Sequence, residues 1–210
     1  MLKEWIGQTF LRVAGWKTDG KRPALERYVI IASPHTSNWD LPFMLAMAFV
    51  YDIPVRWMGK HTLFKPPFGS FFKLLGGIPI VRHQPGGVVG QMIEHFGKND
   101  ALVLMVPAEG TRSHVDYWKS GFYHIARGAD VPVVLSFLDF GKKVGGIGPA
   151  IRLTGDYRAD MDKIRAFYAD KKGHRPENVG VVRLREEDAE ALVEDDGIDS
   201  EAVERLAGSL

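Results

Sequence analysis

An apolar run, Ile30-Ile31-Ala32-Ser33-Pro34, leads directly into His35, and Asp40 follows five positions later. A histidine beside a carboxylate makes a general-base pair: the carboxylate fixes the tautomer and orientation of the imidazole and stabilises the imidazolium formed when it takes a proton. On one helix the two side chains would diverge by about 140°, because each residue turns the helix by about 100°. The spacing therefore predicts His35 on a loop and Asp40 at the start of the next helix. Asp40-Leu41-Pro42 has the pattern of an N-cap followed by an early proline. Such a loop can fold His35 back over Asp40. The structural alternative is that Asp40 only caps the helix and His35 only satisfies a turn.

Two further stretches hold residues of chemical interest. Lys60 and Arg82 each follow a predicted strand, with Phe64, Phe68, Phe71 and Phe72 between them. Cations at strand ends can converge on one phosphate, and the aromatics between could floor an apolar groove. Further on, Val103-Leu104-Met105-Val106 breaks into Pro107-Ala108-Glu109-Gly110-Thr111-Arg112-Ser113. Glycine permits close backbone approach, and a guanidinium fork suits bidentate phosphate recognition. The competing reading pairs Glu109 with Arg112 as a loop brace.

The elements that must position these residues alternate. Apolar runs at 27–33, 54–58, 77–81, 101–106 and 131–138 read as strands, and the periodic segments 40–51, 86–97, 118–127 and 158–171 read as helices. An α/β alternation gathers its site at the carboxyl ends of strands, which is where His35 falls.

Composition narrows the class. With 210 residues and 45% hydrophobic content, the chain can bury one sizeable core, expected over residues 1–185. No cysteine means no disulfide framework or thiolate site, and the seven histidines lack ligand spacing, so no metal is expected. The net charge of +1 conceals an asymmetry: residues 186–210 carry ten acidic side chains and one arginine. That segment reads as a solvated acidic tail on a basic body suited to anionic partners. Basic residues do not line one periodic face, so nucleic acid is not an expected partner.

Residues 1–17 place Leu2, Trp5, Ile6, Phe10, Val13 and Trp16 near helical spacing. The segment is too short and polar to span a bilayer and lacks the pattern of a signal peptide. It reads either as an amphipathic helix packed on the domain or as one lying at a membrane interface. The expected location is accordingly the cytoplasm, with the inner face of the membrane as a peripheral site.

Taken together and in this order, the HX4D pair His35 and Asp40, Gly59-Lys60 and Arg82 around a hydrophobic run, and Glu109-Gly110-Thr111-Arg112-Ser113 after a strand resemble the glycerolipid acyltransferase family, lysophosphatidic acid acyltransferases included. Val131-Pro132-Val133-Val134 is similar to the family's last block, and the resemblance spans 27–138. One departure is Ala108, where the family usually has proline before the glutamate.

The resemblance implies an α/β fold with a mixed central sheet flanked by helices, as in glycerol-3-phosphate acyltransferase. It implies that His35 removes the proton of an acceptor hydroxyl while Asp40 orients it, the hydroxyl attacking an acyl thioester. Lys60, Arg82 and Arg112 would hold the acceptor's phosphate, with Glu109, Gly110, Thr111 and Ser113 shaping that loop. It implies no cofactor, with acyl-CoA or acyl carrier protein as co-substrate. The leading acceptor is a lysophospholipid, 1-acylglycerol-3-phosphate becoming phosphatidic acid in phospholipid biosynthesis. Two alternatives stay open: the same chemistry on an amino-lipid or glycolipid, and a non-catalytic lysolipid-binding protein.

Overall fold

A computed structural model describes residues 2–81 and 87–189. Three strands form its centre: β2 (Arg27–Ser33), β5 (Leu102–Val106) and β6 (Val133–Asp139). Each is an almost uninterrupted apolar run because each is covered on both faces. The pleat divides them: Val29, Ile31, Leu104, Val133 and Leu135 enter one core, while Tyr28, Ile30, Ala32, Val103 and Val134 enter the other.

Around these lie β1 (Lys17–Asp19), β3 (Val55–Lys60), β4 (Gly77–Ile80) and β7 (Val144–Ile151), giving the sheet order β1-β7-β6-β2-β5-β3-β4. All pairings are parallel except β6 with β7. The sheet is therefore mixed, and helices cover both faces. On one side α4 (Gly87–Gly97), α5 (Gly121–Gly128) and α6 (Tyr157–Tyr168) supply Met92, Phe96, Phe122, Ile125, Met161 and Ile164 to the larger core. On the other side α2 (Asp40–Val50) packs through Met44 and Met47, and α1 (Leu2–Val13) rests on α2.

The five expected strands and four expected helices are present, with ends shifted by a few residues. Also present among the described residues are β1, β7, the short α3 (Gly69–Leu74) and two 3-10 turns, His61–Phe64 and Pro176–Asn178. β7 reads Val-Gly-Gly-Ile-Gly-Pro-Ala-Ile, a composition that argues against a strand. Its glycines answer to tertiary contacts: a β-carbon on Gly146 would run into the Asp19 carbonyl, and one on Gly145 would run into Met47.

α1 turns out differently from a simple amphipathic helix docked by its apolar stripe. Gly7 and Leu11 face α2, and a β-carbon on Gly7 would lie 2.6 Å from the Ala46 carbonyl oxygen. Leu2, Trp5, Ile6 and Val13 remain exposed, while Trp16 is buried against Phe43 and Phe140. Among the described residues no helix is long and apolar enough to cross a membrane.

The segment read as a solvated tail begins as part of the body. Glu187 is buried, bonded to Arg165 Nη2 at 2.6 Å and to the backbone N–H of Leu184 at 2.7 Å. Glu186 faces His124 at 3.5 Å, and that hydrogen bond lowers its carboxyl to about 2. The Tyr117 hydroxyl donates to Asp188. Charge counting alone could not separate these docked acids from those at 190–210, which lie outside the described residues.

Candidate active site

β2 ends at Ser33, a cis Ser33–Pro34 bond follows, and the chain loops through His35 to enter α2 at Asp40. Asp40 is the first helical residue rather than the expected N-cap. Trp39 occupies the cap position, without a side-chain cap bond. The Asp40 carboxylate turns back to the loop: its Oδ2 accepts the backbone N–H of Thr36 at 2.8 Å and of Ser37 at 2.9 Å. The same oxygen lies 3.0 Å from His35 Nδ1. That approach is short but off the line of a hydrogen bond. Asp40 is buried and His35 is partly open, so the carboxylate is fixed while the ring reaches the pocket.

Glu109 stands in its loop beside Gly110, but its side chain reaches across to the histidine loop. β2 and β5 are parallel neighbours with Ile31 opposite Val106, so the chain leaving β5 starts out beside the chain leaving β2. Glu109 Oε1 accepts the Ser33 hydroxyl at 2.7 Å and the His35 backbone N–H at 3.0 Å. The acid thus clamps the histidine loop and, among the described residues, has no ion pair with Arg112. Burial pushes its carboxyl above the ordinary value, opposed by those hydrogen bonds and by the proximity of His35. Its Oε2 is buried without a partner.

A pocket of about 610 Å³ opens beside His35. Leu41 and Leu45 of α2, Val88 and Val89 of α4, and Phe122 and Ile125 of α5 give it apolar walls, and Trp57 and Met58 of β3 close one side. Two cations line it: Arg112 and Lys119. Gly110, at φ 68°, lets the loop turn with the Lys119 side chain lying across it. Thr111 and Ser113 are exposed beside the pocket, joined by a 3.4 Å bond from the Ser113 N–H to the Thr111 hydroxyl. Lys60, exposed at the end of β3, is not in the lining, and Arg82 lies outside the described residues. No group of three acidic or histidine side chains gathers to hold a metal among the described residues.

An acyltransferase family model matches residues 17–135, more than half of the chain. The chain belongs to the acyltransferase family. Among solved structures this acyltransferase is similar to PlsC of Thermotoga maritima, a 1-acyl-sn-glycerophosphate (LPA) acyltransferase. The TM-score is 0.55 at 17% identity, covering 79% of this chain and 74% of that one. At that identity the likeness is one of fold. Comparison with curated protein sequences finds no match.

The acyltransferase pocket also contains a residue that sequence reasoning passed over. Lys119 falls inside the helix expected at 118–127, whereas α5 begins at Gly121 and leaves Lys119 in the irregular segment just ahead of it. Its backbone N–H bonds the Ala108 carbonyl at 2.8 Å, tying that segment to the loop of Glu109. The readable signal was Ser120-Gly121, a break just after the lysine. Ala108, the departure from the family pattern, is fully buried there.

Proposed function

We propose that this acyltransferase moves a fatty acyl group from a thioester, acyl-CoA or acyl carrier protein, to the hydroxyl of a lysophospholipid, making phosphatidic acid from 1-acylglycerol-3-phosphate. The observation that carries the reading is the His35–Asp40 pair at the edge of a 610 Å³ apolar pocket that also holds Arg112 and Lys119. Base, apolar walls and cations match the three parts of the reaction: a hydroxyl to deprotonate, a chain to bury and a phosphate to hold.

With Nδ1 toward Asp40, Nε2 is the nitrogen left to accept the acceptor's proton. The hydroxyl oxygen bonds to the thioester carbonyl carbon, the C–S bond breaks, and the departing thiolate takes the proton from the imidazolium. The carboxylate stabilises that imidazolium without itself taking the proton. Because acceptor and product are lipids, the enzyme works at the inner face of the membrane as a peripheral protein, a role that the outward Leu2, Trp5 and Val13 of α1 support.

The test is thiol release from acyl-CoA with 1-acylglycerol-3-phosphate present or absent, for the wild type and for His35→Ala. Acceptor-dependent release lost in the variant supports the reading, and equal turnover by the variant sinks it. Release with a phosphate-free monoacylglycerol matching that with the phosphorylated acceptor would move the assignment to a non-phosphate substrate.

A further inference from the structure

The connection between β3 and β4 presents an apolar tip that the fold does not use. After Lys60 the chain makes a 3-10 turn, His61–Phe64, and then α3. Phe64 and Phe72 turn inward against Trp57, with ring centroids 6.0 and 6.2 Å away. Gly59 and Gly77 leave room for Phe64, since a β-carbon on either would approach its ring within 3 Å. That inner cluster gives the turn and α3 a rigid base. The outer side is a different surface: Leu63, Phe68, Phe71 and Leu74 are 45, 66, 55 and 83% exposed.

Within this segment the charge has one sign. Between Asp52 and Glu94 the sequence contains no acidic residue, and Arg56, Lys60, Lys65 and Lys73 are all exposed. None of the four forms an ion pair among the described residues. Large apolar side chains flanked by unpaired cations, with no acid among them, are complementary to a lipid interface that carries anionic headgroups. A soluble acidic partner would account for the lysines but would leave four large apolar side chains with no reason to face outward.

We propose that this 3-10 turn and α3 dock the enzyme on an anionic membrane, Phe68, Phe71 and Leu74 entering the headgroup boundary while Lys60, Lys65 and Lys73 meet the lipid phosphates. The tip is backed by a wall of the site, because Trp57 packs in the inner aromatic cluster beneath it and also lines the pocket. Its backing is fixed as well: Trp57 Nε1 donates to the Leu75 carbonyl at 2.9 Å, tying the end of α3 to β3. Docking here sets a wall of the acyl pocket next to the lipid from which a long-chain substrate enters. The inference concerns attachment and holds whichever acceptor the site takes.

The experiment is co-sedimentation with phosphatidylcholine vesicles, with and without about one part in four of phosphatidylglycerol, comparing the wild type, Phe68→Asp/Phe71→Asp and Trp5→Asp. Both phenylalanines in the double variant are exposed, so the fold is retained, which a thermal melt checks. The wild type should bind the anionic vesicles, and the double variant should bind at least about tenfold less. Binding should also fall when salt is raised to about 0.5 M, where screening shortens the reach of the lysines. Undiminished binding by the double variant overturns the proposal, whatever Trp5→Asp does, and so does equal wild-type binding to vesicles lacking phosphatidylglycerol. Neither readout involves turnover, so a failure of docking and a failure of the acyl-transfer reading are distinguishable.

Discussion

Replacing Asp40 with asparagine isolates the charge of the buried acid from its shape. An asparagine carbonyl can occupy the place of Oδ2 and still accept the N–H groups of Thr36 and Ser37, so the loop should stand. What disappears is the negative charge 3.0 Å from His35 Nδ1. At that separation two unit charges attract by about 5.5 kcal/mol with an effective dielectric of about 20. The remaining neutral contact returns about 1.5 kcal/mol. The net loss, about 4 kcal/mol, falls on the transition state in which the imidazole carries the proton, and corresponds to a drop of about a thousandfold in kcat. Steady-state thiol release measures it, and a thermal melt checks that the loop survives. Activity within tenfold of the wild type, with the melt unchanged, would refute the charge argument and leave Asp40 as a brace for Thr36 and Ser37.

Two further outcomes follow from the buried groups around the site. Glu109 holds its proton more tightly in the folded state than unfolded, so its contribution to stability is present below its ordinary value and is lost as pH rises through the raised one. The wild type should therefore gain stability relative to Glu109→Gln between pH 7 and about pH 5, and a pH-independent difference in their melts would show that burial has not raised this carboxyl. Met44, Val55 and Met105 form a wall shared by the large pocket and a smaller, mainly apolar cavity of about 30 Å³ beside it. Met44→Ala should join the two and move the preferred acyl donor to longer chains, each added methylene improving kcat/KM up to about fourfold from about 0.8 kcal/mol of burial. An unchanged chain-length profile would place the end of the acyl chain elsewhere.

The sequence by itself determined the αβ alternation, because apolar runs of strand length at 27–33, 101–106 and 131–138 can only be buried strands when helical periodicity separates them. It also determined that His35 belongs to a loop and Asp40 to the head of a helix, since their spacing is incompatible with one helical face. Other features were settled by contacts between distant segments. β7 exists because its glycines admit Asp19 and Met47 at close range, a requirement invisible in a composition that reads as a breaker. Glu109 stands in a motif with Arg112 yet serves the histidine loop, because β2 and β5 are neighbours and bring residues 74 apart into one hydrogen bond. Lys119 enters the pocket while Lys60 stays outside it, a choice made by where α5 begins and how β3 ends. Periodicity records which face of an element is buried, whereas the convergence of loops depends on strand order, and only the folded chain decides that order.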